Sequence, residues 1–324
     1  MIVILLSWVN IFFLSYTWGR FFITAILEKW FKTSFQSIVL CNFIGLAILN
    51  WLVDIFAIYI PINYKFQIAL ELLSFIIWLL LLKKKKIYLP STICSKKKIF
   101  FLIIFLYAFL ATWIRCFFAT GHYDEGLYYI QHVRWLQNYG FVNGLANLHT
   151  RFGFNSNWHN LSSLFEYSYF SKNYFHNDLN GFLFIIFIAT SIKGLYAIFQ
   201  KNARISHYLS TFFVLPLIYP EANFFTFGSS YVNTISPDWA SYIFVSITFI
   251  LLAESIERYQ PTEKISLIVV ASLMSIYSFS IKISNIPMIL ISIFGLFLIL
   301  TLKLKLKEIF FFICINLLLI IPSI

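Results

Sequence analysis

Charge is scarce in this chain. Asp, Glu, Lys and Arg make up 11% of its 324 residues and only 13 residues are acidic, where a soluble domain carries about a quarter charged residues. With 60% hydrophobic and 21% aromatic residues, the composition excludes a soluble globular domain and leaves an integral membrane protein. Cysteine is sparse too. Cys41, Cys94, Cys116 and Cys314 show no paired spacing, and three of them fall in apolar runs, which argues against a zinc site or a disulfide framework. No HExxH or comparable ligand spacing occurs. The first cation is Arg20 and no small-residue cleavage site follows the opening apolar run, so that run reads as a retained helix and not a secretory signal.

What the chain has in abundance is long apolar runs. A bilayer crossing needs roughly 20 mainly apolar residues, and such runs are expected near 3–26, 36–60, 66–82, 99–119, 181–199, 206–220, 238–254, 265–281, 285–302 and 308–324. The expected fold is therefore all-α, a polytopic transmembrane helical bundle of about nine or ten spans. The net charge of +11 comes from cations clustered at span ends, so it is topological and implies membrane lipids and no nucleic acid as partners. Lys83–Lys86 and Lys96–Lys98 share one short connection, which the excess of cations in cytoplasmic loops assigns to the cytoplasm. Lys29 and Lys32, Lys201 and Arg204, Arg258 and Lys264, and Lys303, Lys305 and Lys307 then fall inside as well. Residues 1–98 read as N-terminal spans with the basic loop, 99–302 as a core, and 303–324 as the start of a further span, with the chain the front of a longer protein.

One stretch is too polar to cross. Residues 120–180 hold five of the six histidines and four of the acids, and form the one long external loop. Within it Tyr129, Val133 and Leu136 recur at i, i+4 and i+7, with Gln131, Arg134 and Asn138 opposite. That periodicity predicts an amphipathic helix lying in the interface plane, ended by Gly140 and Gly144. Asn155–Asn160 reads as a polar turn, followed by a second interfacial helix through Leu161, Leu164 and Phe165.

The candidate chemistry gathers at predicted external span ends. Asp124 and Glu125, in Gly121-His122-Tyr123-Asp124-Glu125-Gly126-Leu127-Tyr128-Tyr129, can accept a proton; equally, Asp124 fits the N-cap of the amphipathic helix. Asp238 follows Pro237 at the start of a span, where a helix N-terminus welcomes both residues. Lys282 interrupts two apolar runs at a predicted external turn, as a snorkelling side chain or a point charge for a phosphate oxygen. Arg134, Arg151, His149 and His159 can add donors to the same anion or simply be solvated. No cofactor is indicated as certain, and Asp124, Glu125 and Asp238 could hold a hard divalent metal through oxygen. Asp54 and Glu71 are costly to place in a membrane and are functional candidates on that ground.

In this order and on this side, the positions resemble the GT-C superfamily of polytopic glycosyltransferases, which use polyprenyl-phosphate-linked sugars. The likeness rests on Tyr123-Asp124-Glu125-Gly126-Leu127-Tyr128-Tyr129 after a span, Pro237-Asp238 opening a later one, and the turn Lys282-Ile283-Ser284. It covers roughly residues 99–302. The loop from Gly140 to Trp158, with Gly144–His149 and Arg151–Asn155, is similar to a group of uncharacterised bacterial GT-C-like membrane proteins. The resemblance implies a catalytic acid at Asp124 with Glu125 beside it, a second site acid at Asp238, and a lipid-phosphate contact at Lys282. It implies an inverting membrane glycosyltransferase that moves a sugar from a polyprenyl-phosphate donor to a glycan, lipid or protein acceptor of the cell envelope, on the non-cytoplasmic face of the bacterial inner membrane. The chain departs from the pattern in having three spans before the first family-like helix and in lacking the usual C-terminal part. Competing expectations are a polysaccharide polymerase or ligase and a transporter or flippase of lipid-linked glycans.

Overall fold

The computed structural model describes residues 2–31, 35, 37–87, 96–118, 122–153, 156–167, 178–222, 231–301 and 306–320. Gly121, Asn155, Cys94, Lys32, Lys303 and Lys305 lie outside them. Every regular element among these residues is helical. In chain order they are α1 (Ile2–Phe22), which passes through a π-helical turn at Ile23–Leu27 into α2 (Glu28–Phe31); α3 (Ile38–Ala57); α4 (Tyr64–Lys83); and α5 (Lys96–Phe117). A second π-helical turn at Glu125–Tyr129 leads into α6 (Ile130–Tyr139), followed by α7 (Leu145–Leu148) and α8 (Asn157–Leu164). The rest comprises α9 (Leu179–Phe199), α10 (Ile205–Phe212), α11 (Leu215–Ala222), α12 (Pro237–Glu257), α13 (Pro261–Ile281), α14 (Ile289–Thr301) after a 3-10 turn, and α15 (Leu306–Ile320).

Eight helical stretches among the described residues are long and apolar enough to span a membrane, against the nine or ten expected. The two differences have visible causes. Over 206–220 the chain breaks at Phe213 and Val214 into α10 and α11, because Pro216 has no N–H to continue the ladder. The Tyr242 hydroxyl of α12 donates to the Phe213 carbonyl at that break, 3.0 Å away. The last apolar helix, α15, runs for 15 residues and is short for a crossing.

In a bilayer, apolar side chains gain little by leaving lipid, so close packing and interhelical hydrogen bonds hold the helices together. The α1–α3 seam shows both. A Cβ on Gly45 would fall 1.7 Å from the Ser15 carbonyl oxygen, so glycine alone allows this approach, and the Ser15 hydroxyl donates to Asn42 Oδ1 at 2.6 Å. At the centre, Phe244 of α12 meets Phe43 of α3 edge-on at 5.6 Å, Tyr277 of α13 at 4.6 Å and Trp158 of α8 at 6.3 Å. Helix α13 is innermost, 83% buried, whereas α5, 17% buried, turns most of its surface outward.

Helix α8 corrects one expectation. It is not interfacial: Trp158, His159, Asn160, Leu161, Ser162, Ser163 and Leu164 are all buried. Ser156 caps it, accepting from the Trp158 N–H, and donates its own hydroxyl to the Ile281 carbonyl at the end of α13. A helix so polar can sit inside the bundle because its amides find acceptors there. Trp158 Nε1 donates to Asn180 Oδ1 at 2.7 Å, and Asn157 and Asn160 donate to Asp54. The amphipathic helix at 130–139 is as expected, with Val133 and Leu136 buried and Gln131, Arg134 and Asn138 exposed. It ends at Gly140, whose φ of 74° and contact with the Ala57 carbonyl suit only glycine.

Candidate functional site

The long loop gathers over one end of the bundle. The Phe141 N–H donates to the Ala57 carbonyl at 2.7 Å and the Ile62 N–H to Leu136 at 3.0 Å, so the α3–α4 turn lies under α6. The Ser156–Ile281 bond brings the α13–α14 turn to the same end. The acids singled out from the sequence are therefore close neighbours of one another's elements.

Asp124 and Glu125 separate. The π-helical turn that starts at Glu125 adds a residue to the repeat and re-aims the side chains around it, as such turns do at functional sites. Glu125 points inward and is 2% exposed. Asp124 remains half-buried, and its side chain does not cap the helix, contrary to the capping role its position suggested. It pairs instead with Arg151, whose guanidinium also lies 5.4 Å from the centre of the Tyr123 ring and 5.9 Å from that of Tyr128. Arg151 is brought there by a single 3-10 turn, and its backbone N–H donates to His149 Nδ1 at 3.3 Å.

The second acid finds the third element. Ser236 caps α12 and Pro237 occupies its first turn, which leaves the Asp238 carboxylate free to face outward. Lys282 at the end of α13 reaches it and forms an ion pair, with both side chains about half exposed. Tyr128 lies beside the first pair, under the Arg151 guanidinium. Burial raises its pKa first; the Tyr129 side chain opposes this, and the charges of Asp124, Arg151 and Asp238 all act on the same hydroxyl.

Beneath it is an aromatic and histidine layer. Tyr129 sits 4.5 Å from Tyr128 and 4.5 Å from His159, with His132 5.7 Å beyond. Burial pushes both imidazoles toward the neutral form. Its effect on His159 is reinforced by His132, and on His132 it is opposed by a hydrogen bond to Asn160.

Of the residues proposed from sequence, Asp124, Arg151 and His149 come together, Asp238 joins Lys282, and His159 lies below them. Arg134 does not join: it is on the exposed face of α6. The oxygen cage proposed for a divalent metal is also not formed. Asp124 and Asp238 are each held by a cation and Glu125 is turned inward, and among the described residues no three His, Cys, Asp or Glu side chains cluster for a metal. Sequence reasoning missed Tyr128, His132 and Asn160. The signal available for Asn160 was the spacing Asn157–Asn160, which places two amides on one helical face.

The whole chain, residues 1–324, matches the model of a family described as a domain of unknown function, DUF8201. The chain belongs to that family. No curated protein and no solved structure matches it.

Proposed function

We propose that this chain is a membrane glycosyltransferase that transfers a sugar from a polyprenyl-phosphate donor to a cell-envelope acceptor. What supports the reading is the pair of ion pairs at one end of the bundle, Asp124–Arg151 beside Tyr128 and Asp238–Lys282 at the start of α12 and the end of α13. Two acids and two cations at a membrane surface suit a reaction that removes a proton on one side of a bond and releases a phosphate on the other. The acceptor oxygen attacks the anomeric carbon, its proton passes to Asp124, and the carbon–oxygen bond to phosphate breaks. The departing lipid phosphate takes the bonding electron pair and is met by Lys282, with Arg151 as the second cation in reach. One displacement inverts the anomeric carbon. Tyr123, which is exposed, supplies an aromatic face of the kind that sugar rings stack upon. In support, Lys83–Lys86 follow the end of α4 opposite its turn with α3 under α6, and the excess of cations in cytoplasmic loops favours the non-cytoplasmic face of a bacterial inner membrane for the site.

The test is transfer from a polyprenyl-monophosphate sugar by purified protein in lipid. Asp124→Asn is expected to lower turnover by at least about 100-fold. Wild-type transfer by that variant would end the proposal, as would transport of the labelled donor across the bilayer without glycosidic product.

A further inference from the structure

A groove of about 390 Å³ runs between α5 and the broken pair α10 and α11, with α9 as its floor. Its volume is in the range of ligand pockets, roughly 300–1,000 Å³. On α5 it is lined by Ile104, Ala108, Ala111 and Arg115, which repeat at helical spacing along one face. Tyr107, Leu215 and Ile218, also on the lining, are exposed, so the groove opens sideways toward the bilayer. Three hydroxyls line it as well. Thr112 donates to the Ala108 carbonyl at 2.8 Å, Ser191 to the Ser210 carbonyl at 2.6 Å and Thr211 to the His207 carbonyl at 3.0 Å. Their protons are spent on backbone, which leaves an apolar wall with one charged end. Among the described residues that line the groove, Arg115 alone is charged, and it is 4% exposed.

We propose that this groove binds a bilayer phospholipid with an anionic headgroup, its phosphate on Arg115 and one acyl chain lying along α5 toward Ile104. An arginine inside a membrane span is costly and marks a site for an anion by default, and basic pockets between spans take anionic headgroups. A guanidinium has five donors, enough to serve a protein acceptor and a phosphate together. Length favours a phospholipid over a polyprenyl carrier. From Arg115 to Ile104 the helix rises roughly 16 Å at about 1.5 Å per residue, close to half of the ~30 Å hydrocarbon core. That is the depth of one leaflet, whereas a polyprenyl chain is much longer. Position agrees, because α5 packs on α9 and α1, while Asp238 and Lys282 stand on α12 and at the end of α13. No carboxylate among the described lining residues is placed to receive the ammonium of a zwitterionic headgroup. A lipid seated here fills the space beside the break at Phe213 and Val214, and the inference stands whether or not the chain transfers sugar.

The test is native mass spectrometry of the full chain in detergent, titrated with phosphatidylglycerol, phosphatidylethanolamine or a polyprenyl monophosphate. It is paired with photocrosslinking by phosphatidylglycerol that carries a diazirine in one acyl chain. Wild-type protein is expected to prefer phosphatidylglycerol to phosphatidylethanolamine by about fivefold, the ratio that about 1 kcal/mol for one cation beside an anionic lipid gives. Crosslinks are expected on α5, α9 and α11. Arg115→Gln should abolish the preference. Ala111→Phe fills the groove without touching the cation, and should weaken both phospholipids and remove the crosslinks. Should Arg115→Gln not fold, the crosslinks of wild type against Ala111→Phe decide. Equal binding of the two phospholipids by wild type, a preference that survives Arg115→Gln, or crosslinks confined to other helices would overturn the proposal. So would loss of the crosslinks to an equal concentration of polyprenyl monophosphate, which would give the groove to that carrier instead.

Discussion

Two aspartates on different helices, Asp54 of α3 and Asp238 of α12, are held in opposite ways. Asp54 is 2% exposed and meets three neutral amides, whereas Asp238 is about half exposed and meets one lysine. The amides that surround Asp54 come from two helices, α3 and α8, and none can leave without stranding a buried polar group. The Asp238–Lys282 pair can open toward water at little cost. The first arrangement suits a permanent fixture and the second a pair of charges that must part to receive a ligand. Asp124 with Arg151 belongs with the second kind.

The largest expected effect breaks the first side of this comparison. Asp54→Ala leaves Asn50, Asn157 and Asn160 without their acceptor, at roughly 1–3 kcal/mol for each donor left unsatisfied. A drop of several kcal/mol and a lower yield of folded protein are expected, measured as the unfolding midpoint in detergent or nanodiscs. Asp124→Asn should leave that midpoint nearly unchanged, since a partly exposed ion pair contributes about 0–1 kcal/mol. Equal losses in the two variants would erase the distinction.

The contrast also explains what was legible in the sequence. Spans α3, α4, α9, α12 and α13 follow directly from apolar runs and from local end signals such as Ser236-Pro237 and Gly140, all of which act within a few residues. The positions of Asp124, Asp238 and Lys282 at span ends were visible for the same reason. Helix α8 was not. The Asn157-Trp158-His159-Asn160 segment has the composition of a wet turn, and only an aspartate about a hundred residues earlier in the chain makes its burial affordable. The separation of Asp124 from Glu125 was hidden too, because it depends on a π-helical turn that leaves no mark in hydrophobic spacing.

Proton linkage gives a smaller effect that sharpens the picture of a dry layer beneath the site. His132 and His159 have folded pKa values below their unfolded ones. Above the unfolded value, about 6.5, both states are neutral and nothing changes. As pH falls through it, the unfolded chain binds protons that the folded chain refuses, so stability falls by up to about 1.4 kcal/mol per pH unit for each histidine. Asp178 works in the other direction. Burial raises its folded pKa from 3.8 to about 7, with the Ser7 hydroxyl donating at 2.8 Å and opposing the rise. Between those values the folded chain holds a proton that the unfolded chain releases, so stability falls as pH rises. The histidines and Asp178 therefore oppose each other over this range, and His159→Gln should lessen any decline of the unfolding midpoint from about pH 6.5 toward about pH 5. Asp178→Asn should steepen that decline, and a decline unaltered by the substitution would mean that Asp178 does not titrate in this window.

The smallest expected effect concerns the pair that is meant to part. In a double-mutant cycle of Asp238→Ala and Lys282→Ala, the coupling energy read from unfolding should be below about 1 kcal/mol, and it should shrink further as salt rises from about 0.05 to about 0.5 M, because the screening length shortens roughly threefold. Transfer should respond differently. Lys282→Ala removes the charge that meets the departing phosphate and should reduce turnover even where stability is untouched, while Asp238→Ala frees Lys282 and should not reproduce the loss in full. If both single variants lost turnover only in proportion to stability, the pair would be a surface tie between α12 and α13, and the difference drawn between Asp54 and Asp238 would be one of depth alone.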